Sequence, residues 1–108
     1  MLTQKIHDAL IDRKAHDIVV LSVKGISSFA DYFVIVTGTS TTHMNGLSDG
    51  VEEALQKSGY AMKHKEGQSV GGWLLLDYRD VIVHIFNSEM RDYYALERIW
   101  NDAVKLEL

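Results

Sequence analysis

The chain has 108 residues, with 11 basic and 15 acidic side chains, a formal net charge of −4 and no cysteine. This length corresponds to a single domain over residues 1–108, and the missing cysteine excludes disulfide frameworks and thiolate metal sites. No apolar stretch approaches the roughly 20 residues of a membrane span, which favours a cytoplasmic protein, and the acidic balance disfavours direct nucleic-acid readout.

Apolar periodicity predicts an amphipathic helix at the start of the chain. One stripe of this helix is apolar until its last turn and comprises Leu2, Ile6, Ala9, Leu10 and Arg13. Two short runs rich in valine and isoleucine follow at residues 17–23 and 32–37. They are typical of buried strands.

A second helix is predicted from Thr41 to a stop near Ser58 and Gly59. Its apolar stripe comprises Met44, Leu47, Val51, Leu55 and Ser58. Residues 60–71 are more polar and carry two glycines, so we expect a short edge strand at 60–64 and then a mobile loop.

A hairpin and a last helix complete the chain. Trp73 opens a run of three leucines, residues 77–80 form a polar turn, and residues 81–86 are the return strand. Asn87 or Ser88 can cap the helix that follows. Its predicted buried stripe comprises Met90, Tyr93, Leu96, Trp100 and Ala103.

The order of these elements is α-β-β-α-β-β-β-α. It predicts a small α/β (α+β) fold in which helices pack on a mixed sheet of about five strands.

The strand–turn–helix segment at residues 38–42, Gly-Thr-Ser-Thr-Thr, is the place where backbone amides could cradle a phosphate. A simple helix cap by a serine or threonine is the favoured alternative. A nucleotidyltransferase would need two carboxylates on a nearby strand to hold metal ions, and leucines stand where that pair is expected. We therefore expect no enzyme activity, no cofactor and no metal site.

The strand that begins at Trp73 carries large apolar groups on both faces. Alternation places Trp73, Leu75 and Asp77 on one face and Leu74, Leu76 and Tyr78 on the other. One face packs on helices, and the other is a candidate partner surface with Trp73 and Tyr78 as aromatic anchors. A tryptophan that only roofs the core fits the pattern equally well.

Two segments resemble a known family. The stretch from Gly71 to Trp100 (GGWLLLDYRDVIVHIFNSEMRDYYALERIW) and the run from Asp31 to Ser40 (DYFVIVTGTS), with Glu66-Gly67, are similar to the signatures of the Iojap family, the ribosomal silencing factors. The resemblance covers roughly residues 4–103.

The resemblance implies a nucleotidyltransferase-like fold and a translation repressor. Such a protein binds the large ribosomal subunit through ribosomal large-subunit protein number fourteen and sterically blocks the small subunit when nutrients are scarce. By analogy the contact residues are Trp73, Leu75, Asp77, Tyr78 and Asp80, with Glu66 and Arg91 as weaker candidates. The sequence leaves three points open. The chain could form a homodimer, it could be a nucleotidyltransferase-like enzyme or a nucleotide binder using residues 38–42, or it could be an interaction adaptor that does not bind ribosomes.

Overall fold

The computed structural model describes residues 2–108. In chain order the elements are helix α1 (Leu2–Asp12), strands β1 (His16–Ser22) and β2 (Tyr32–Thr37), helix α2 (Thr41–Lys57), strand β3 (His64–Gln68), a 3-10 turn (Ser69–Gly71), strands β4 (Trp73–Asp77) and β5 (Val81–Phe86), helices α3 (Ser88–Tyr94) and α4 (Leu96–Ile99), and strand β6 (Val104–Leu106). Within residues 2–108, no helix combines the length and apolar character required to cross a bilayer.

All six strands join one mixed sheet in the order β3-β4-β5-β2-β1-β6. β2 and β5 run parallel at its centre, and the remaining neighbours are antiparallel. The predicted α+β class and mixed sheet are confirmed, and the sheet has one strand more than expected. The hairpin of β4 and β5 is confirmed, with β4 extending one residue into the predicted turn, to Asp77.

One face of the sheet is covered by α1 and α2. α2 starts where predicted, because the Ser40 hydroxyl oxygen accepts a hydrogen bond from the His43 amide at 3.0 Å and caps the first turn. The first core, as we call this layer, contains the completely buried side chains Ile6, Leu10, Leu47, Val51, Leu55, Val34, Val36, Leu76, Val83 and Ile85. Burial of these side chains drives the packing of both helices on the sheet.

The opposite face is covered only in part. Its second core contains Leu21, Val23, Ala30, Phe33, Ile35 and Phe86, against which Met90, Tyr94, Leu96, Trp100 and Ala103 pack from the chain after β5. Strand β3 remains exposed along its whole length, and Trp73 and Leu75 on β4 are only half-buried. This face is therefore closed over β5, β2 and β1 and open over β3 and β4.

The last helix was predicted incorrectly as one continuous element. Ala95 adopts a left-handed conformation, with φ +49°, and separates α3 from α4. The break re-aims the chain so that Leu96 and Trp100 still reach the second core, whereas Tyr93 is 76% exposed instead of buried. A further strand, β6, then pairs with β1.

The predicted edge strand is also displaced. The structure has β3 at residues 64–68 rather than 60–64, and most of the expected mobile loop is this strand and the 3-10 turn. Pairing with β4 sets the position of β3, with Gln68 opposite Trp73 and His64 opposite Asp77. A strand exposed on both faces has no apolar alternation from which its bounds can be read.

Candidate functional site

Strand β4 presents two different surfaces to the two sides of the sheet. Leu74 and Leu76 are buried in the first core, with exposed fractions of 2% and 0%. Trp73 and Leu75 point to the open half of the other face and remain half-buried. The alternation read from the sequence is therefore present, and one of its two faces lacks a complete cover.

Three of the predicted contact residues come together on this open half. Glu66 on β3 lies directly opposite Leu75 on β4. Glu66, Gly67, Trp73 and Leu75 line a small surface cavity of about 120 Å³. We call Glu66, Trp73 and Leu75, with this cavity, the open-face site.

Two glycines set the shape of the chain around Trp73. Gly67 has φ +85°, and a Cβ at this position would lie 2.2 Å from the Trp73 carbonyl oxygen. Gly72 has φ +82°, and a Cβ there would lie 2.5 Å from Met90 Cγ. A side chain at either position would be strained and would clash, at Gly67 with the Trp73 carbonyl and at Gly72 with Met90 of α3, so glycine is required at both.

The Trp73 indole is fixed on its inner side by an aromatic cluster. Its Nε1–H donates a hydrogen bond to His84 Nδ1 at 3.2 Å. Its ring lies 4.7 Å from the Tyr94 ring and 5.7 Å from the Phe86 ring, measured between centroids. Trp73 thus packs over the second core and also remains partly accessible. Its role as an anchor for a partner stays a prediction.

His84 is neutral in this environment. It is 6% exposed, and burial lowers its pKa to about 4. At neutral pH one ring nitrogen carries a proton and the other accepts. Because Nδ1 accepts from Trp73, the proton is assigned to Nε2.

A short row of polar groups continues along the open face from Glu66. His64 Nε2 lies 3.4 Å from Glu66 Oε1, and His64 Nδ1 lies 3.5 Å from Asp77 Oδ2. Asp77 also accepts a hydrogen bond from the Arg79 amide at 2.8 Å, which holds the hairpin turn. Asp77 therefore lies on the predicted face, but its carboxylate is largely buried and serves the turn.

Tyr78 does not belong to the open-face site. Its side chain is 6% exposed and packs in the first core, on the opposite side of the sheet from Trp73. Burial, and to a smaller extent the nearby charge of Glu52, raises the pKa of Tyr78 to about 12. The phenol is thus a buried neutral group.

Asp80 and Arg91 do not line the cavity of the open-face site either. Asp80 is exposed and lines a separate cavity with Leu2 and Tyr32. The Arg91 guanidinium donates to the Asp17 carbonyl at 2.6 Å, to the Thr37 hydroxyl at 2.8 Å and to Glu97 at 2.8 Å. Arg91 ties α3 to β1, β2 and α4, so its contacts are internal.

Two neighbours of the site, His64 and Tyr94, were not predicted. His64 and Glu66 are two residues apart, and in a strand this spacing places both on one face. That signal was lost because the strand was predicted to end at residue 64. Tyr94 lies four residues after Met90, which is the helical spacing of the buried side of α3.

The turn at residues 38–42 is occupied by internal hydrogen bonds. The Gly38 amide donates to the Phe86 carbonyl at 2.8 Å, and the Thr39 amide donates to His43 Nδ1 at 2.9 Å. Ser40 caps α2. The capping interpretation of this segment is confirmed, and two of its amides are committed to protein acceptors.

Comparisons with known proteins agree on one family. The family model described as "Ribosomal silencing factor during starvation" matches residues 1–108. A ribosomal silencing factor of Halalkalibacterium halodurans is 38% identical over 107 residues, which cover 99% of this chain and 92% of the relative. A mouse relative named "Mitochondrial assembly of ribosomal large subunit protein 1" is 32% identical over 95 residues, 84% of this chain and 41% of the mouse protein.

The fold agrees with a crystal structure of a Chromobacterium violaceum protein. The TM-score is 0.89 at 31% sequence identity, and the alignment covers 93% of this chain and 83% of the other.

Proposed function

The chain belongs to the ribosomal silencing factor family, and from this premise we propose that it represses translation by binding the large ribosomal subunit and excluding the small one. The proposed contact on the large subunit is ribosomal large-subunit protein number fourteen. The repression is proposed to act in the cytoplasm when nutrients are scarce.

The family and one relative's name support the choice of subunit. The family description couples ribosome silencing with starvation. The mouse relative is named for assembly of the large ribosomal subunit. A large-subunit partner is consistent with both descriptions.

The observation that carries the proposal is the open half of the sheet. Trp73 and Leu75 present apolar surface beside Glu66, whereas the same face over β5, β2 and β1 is covered. A partly exposed tryptophan in a pocketed apolar surface is a typical hot spot of protein–protein interfaces. We therefore propose the open-face site as the centre of the docking surface, with Asp77 at its edge.

Charge favours the same kind of partner. The chain has a net charge of −4, and the exposed carboxylate of Glu66 lies beside the apolar surface. Ribosomal proteins rest on a phosphate backbone and balance its charge with lysine and arginine. Opposite charge accelerates encounter and selects the orientation of docking.

The proposed mechanism requires occupancy and no bond-making step. A 12.2 kDa domain bound beside the intersubunit face occupies space that the small subunit needs. We accordingly propose that the function includes no catalysis. Two amides of the turn at residues 38–42 already donate to protein acceptors, which gives the nucleotide-binding alternative no support.

Sedimentation tests the binding step. Purified protein is mixed separately with large subunits, small subunits and joined ribosomes, and each mixture is centrifuged through a gradient. We expect the protein to travel with free large subunits and to be absent from small subunits and from stably joined ribosomes. Equal binding to all three particles, or no binding to large subunits at saturating protein, contradicts the proposal.

Matched variants separate the proposed site from general surface effects. Trp73→Ala removes the aromatic group of the open-face site. Phe29→Ala removes an aromatic side chain that is 79% exposed in the loop between β1 and β2. Only the first substitution should release the protein from large subunits.

A further inference from the structure

Trp73 of the open-face site has a buried partner, His84, which is 6% exposed. His84 lies on β5 directly opposite Leu75, and its Nδ1 receives the Trp73 indole hydrogen at 3.2 Å. The two ring planes are nearly parallel, with centroids 6.0 Å apart and an angle of 19° between the planes, which suits an in-plane hydrogen bond between the ring edges. A directional bond therefore acts on the indole.

The hydrogen bond to His84 gives the Trp73 indole an acceptor for its N–H, which its other ring neighbours do not provide. Phe86 packs against the indole through its ring and has no acceptor. Tyr94 packs at an angle of 44° and has no hydrogen bond to the indole in the described residues. An indole N–H in a partly buried position needs an acceptor, and His84 Nδ1 is the acceptor that defines the ring's rotation.

His84 is itself fixed by its surroundings. Phe33 meets its ring edge-on at 5.3 Å, and the cross-strand neighbours Leu75 and Ile35 flank it on β4 and β2. The ring is 6% exposed. A side chain held in this way can transmit a fixed geometry to Trp73.

We propose that His84 is a positioning residue, which holds the Trp73 indole in the orientation that the docking partner meets. This inference rests on the proposed docking role of Trp73. A tryptophan that is already ordered loses less rotamer entropy on binding, so the fixed indole increases affinity without any contact between His84 and the partner.

The protonation state of His84 agrees with this role. Burial lowers its pKa to about 4, so Nδ1 keeps its lone pair throughout the neutral range. Its recorded neighbours from β4, β2 and β5 are Trp73, Leu75, Phe33, Ile35 and Phe86, and none of these ionises.

Two variants separate the hydrogen bond from the packing. His84→Phe keeps an aromatic ring and removes the acceptor, whereas His84→Asn keeps an acceptor near the position of Nδ1 and removes the ring. We expect His84→Phe to weaken binding to large subunits about five- to tenfold, the effect of one lost hydrogen bond. His84→Asn should bind more tightly than His84→Phe.

A double-mutant cycle with Trp73→Phe identifies the route of the effect. Phenylalanine at position 73 has no N–H, so adding His84→Phe should cause no further loss of binding. A loss that is equally large in both backgrounds would mean that His84 acts through general stability, and the positioning role would be overturned. All four proteins are compared well below their melting temperatures.

A measurement on the free protein keeps the inference distinct from the proposed function. The indole N–H resonance of Trp73, identified by its disappearance in Trp73→Phe, should exchange slowly in the wild type and faster in His84→Phe. Faster exchange together with unchanged binding overturns the docking role of His84 alone. Wild-type protein that fails to bind large subunits overturns the proposed function, and the docking role of His84 with it.

Discussion

The two faces of strand β4 differ in what covers them. On one face, Leu74 and Leu76 are enclosed by α1, α2 and the sheet. On the other, Trp73 and Leu75 remain half-buried, although Tyr94 of α3 packs against Trp73. A single strand of five residues thus contributes both to the main core and to an accessible apolar surface.

From this difference we expect the apolar residues on β4 to have two separable roles, one in folding and one in the proposed docking. A change on the covered face should reduce folding stability and affect binding only through loss of folded protein. A change on the open face should reduce binding more than stability. Every substitution therefore needs both a denaturation curve and a binding curve.

The largest expected effect lies on the covered face, at Tyr78. Tyr78→Ala removes a ring that is 6% exposed and leaves a cavity in the first core. We expect a loss of about 3 to 5 kcal/mol in the free energy of unfolding. Chemical denaturation measures this loss, and Tyr78→Phe, which keeps the ring, should retain most of the stability. A Tyr78→Ala protein with wild-type stability but no binding to large subunits would contradict the assignment of folding to the covered face and binding to the open face.

The next effect concerns the histidine buried under the open face. Burial lowers the pKa of His84 to about 4, below the value near 6.5 of an unfolded chain. Between these values the unfolded state binds more protons, so stability falls as the pH decreases through this range and is fully restored above it. The pKa difference corresponds to about 3 kcal/mol at pH 4.

The comparison between wild type and His84→Phe isolates this contribution. Denaturation of both proteins at several pH values between 4 and 7 should show a steeper acid loss in the wild type. If the free energy of unfolding of the two proteins changed with pH in parallel, His84 would not be the cause of the acid loss.

A smaller effect in free energy, but one specific to function, is expected at Trp73. Trp73→Ala should weaken large-subunit binding by about 2 kcal/mol or more, as for an interface hot spot. Its folding stability should also fall, because the indole packs on Tyr94 and Phe86. Titration of labelled protein with large subunits, at a temperature where the variant is folded, gives the binding change. Normal binding by folded Trp73→Ala protein would refute the proposed site.

The smallest effects are expected from exposed charges, and they distinguish two of the predicted residues. Glu66 lies in the open-face site, whereas Asp80 lines a separate cavity beside α1. Glu66→Lys should slow association and alter its salt dependence, with a change of about 1 kcal/mol or less. Asp80→Lys should have a weaker effect on the association rate. Stopped-flow measurements at two salt concentrations compare the association rates of the two variants. A stronger effect of Asp80→Lys would indicate that the docking surface lies at the turn between β4 and β5.

The parts of the fold that the sequence predicts are those with strong local signals. The β4–β5 hairpin combines a leucine run, a polar turn and a β-branched return strand, and its bounds match the prediction to within one residue, Asp77. Strands β3 and β6 lie at the two edges of the sheet and are largely exposed, so they lack the alternation that marks a half-buried strand. The left-handed Ala95 is not a residue from which a helix break is expected.

The residues of the candidate site were predictable where strand alternation places them, and not where their contacts depend on distant parts of the chain. Alternation correctly separates Trp73 and Leu75 from Leu74 and Leu76, and it also assigns Tyr78 to the buried face, although the resemblance grouped Tyr78 with the contact residues. The internal role of Arg91 depends on acceptors at Asp17 and Thr37, which are distant in sequence and meet only in the folded chain.

Subunit joining tests the central claim most directly. Separated ribosomal subunits are mixed under joining conditions after preincubation of the large subunit with wild-type, Trp73→Ala or Phe29→Ala protein, and the yield of joined ribosomes is measured on gradients. We predict that wild-type and Phe29→Ala protein lower the yield, that Trp73→Ala does so only weakly, and that addition after joining has little effect. Unchanged joining at saturating wild-type protein, or equal inhibition by folded Trp73→Ala, would contradict the account.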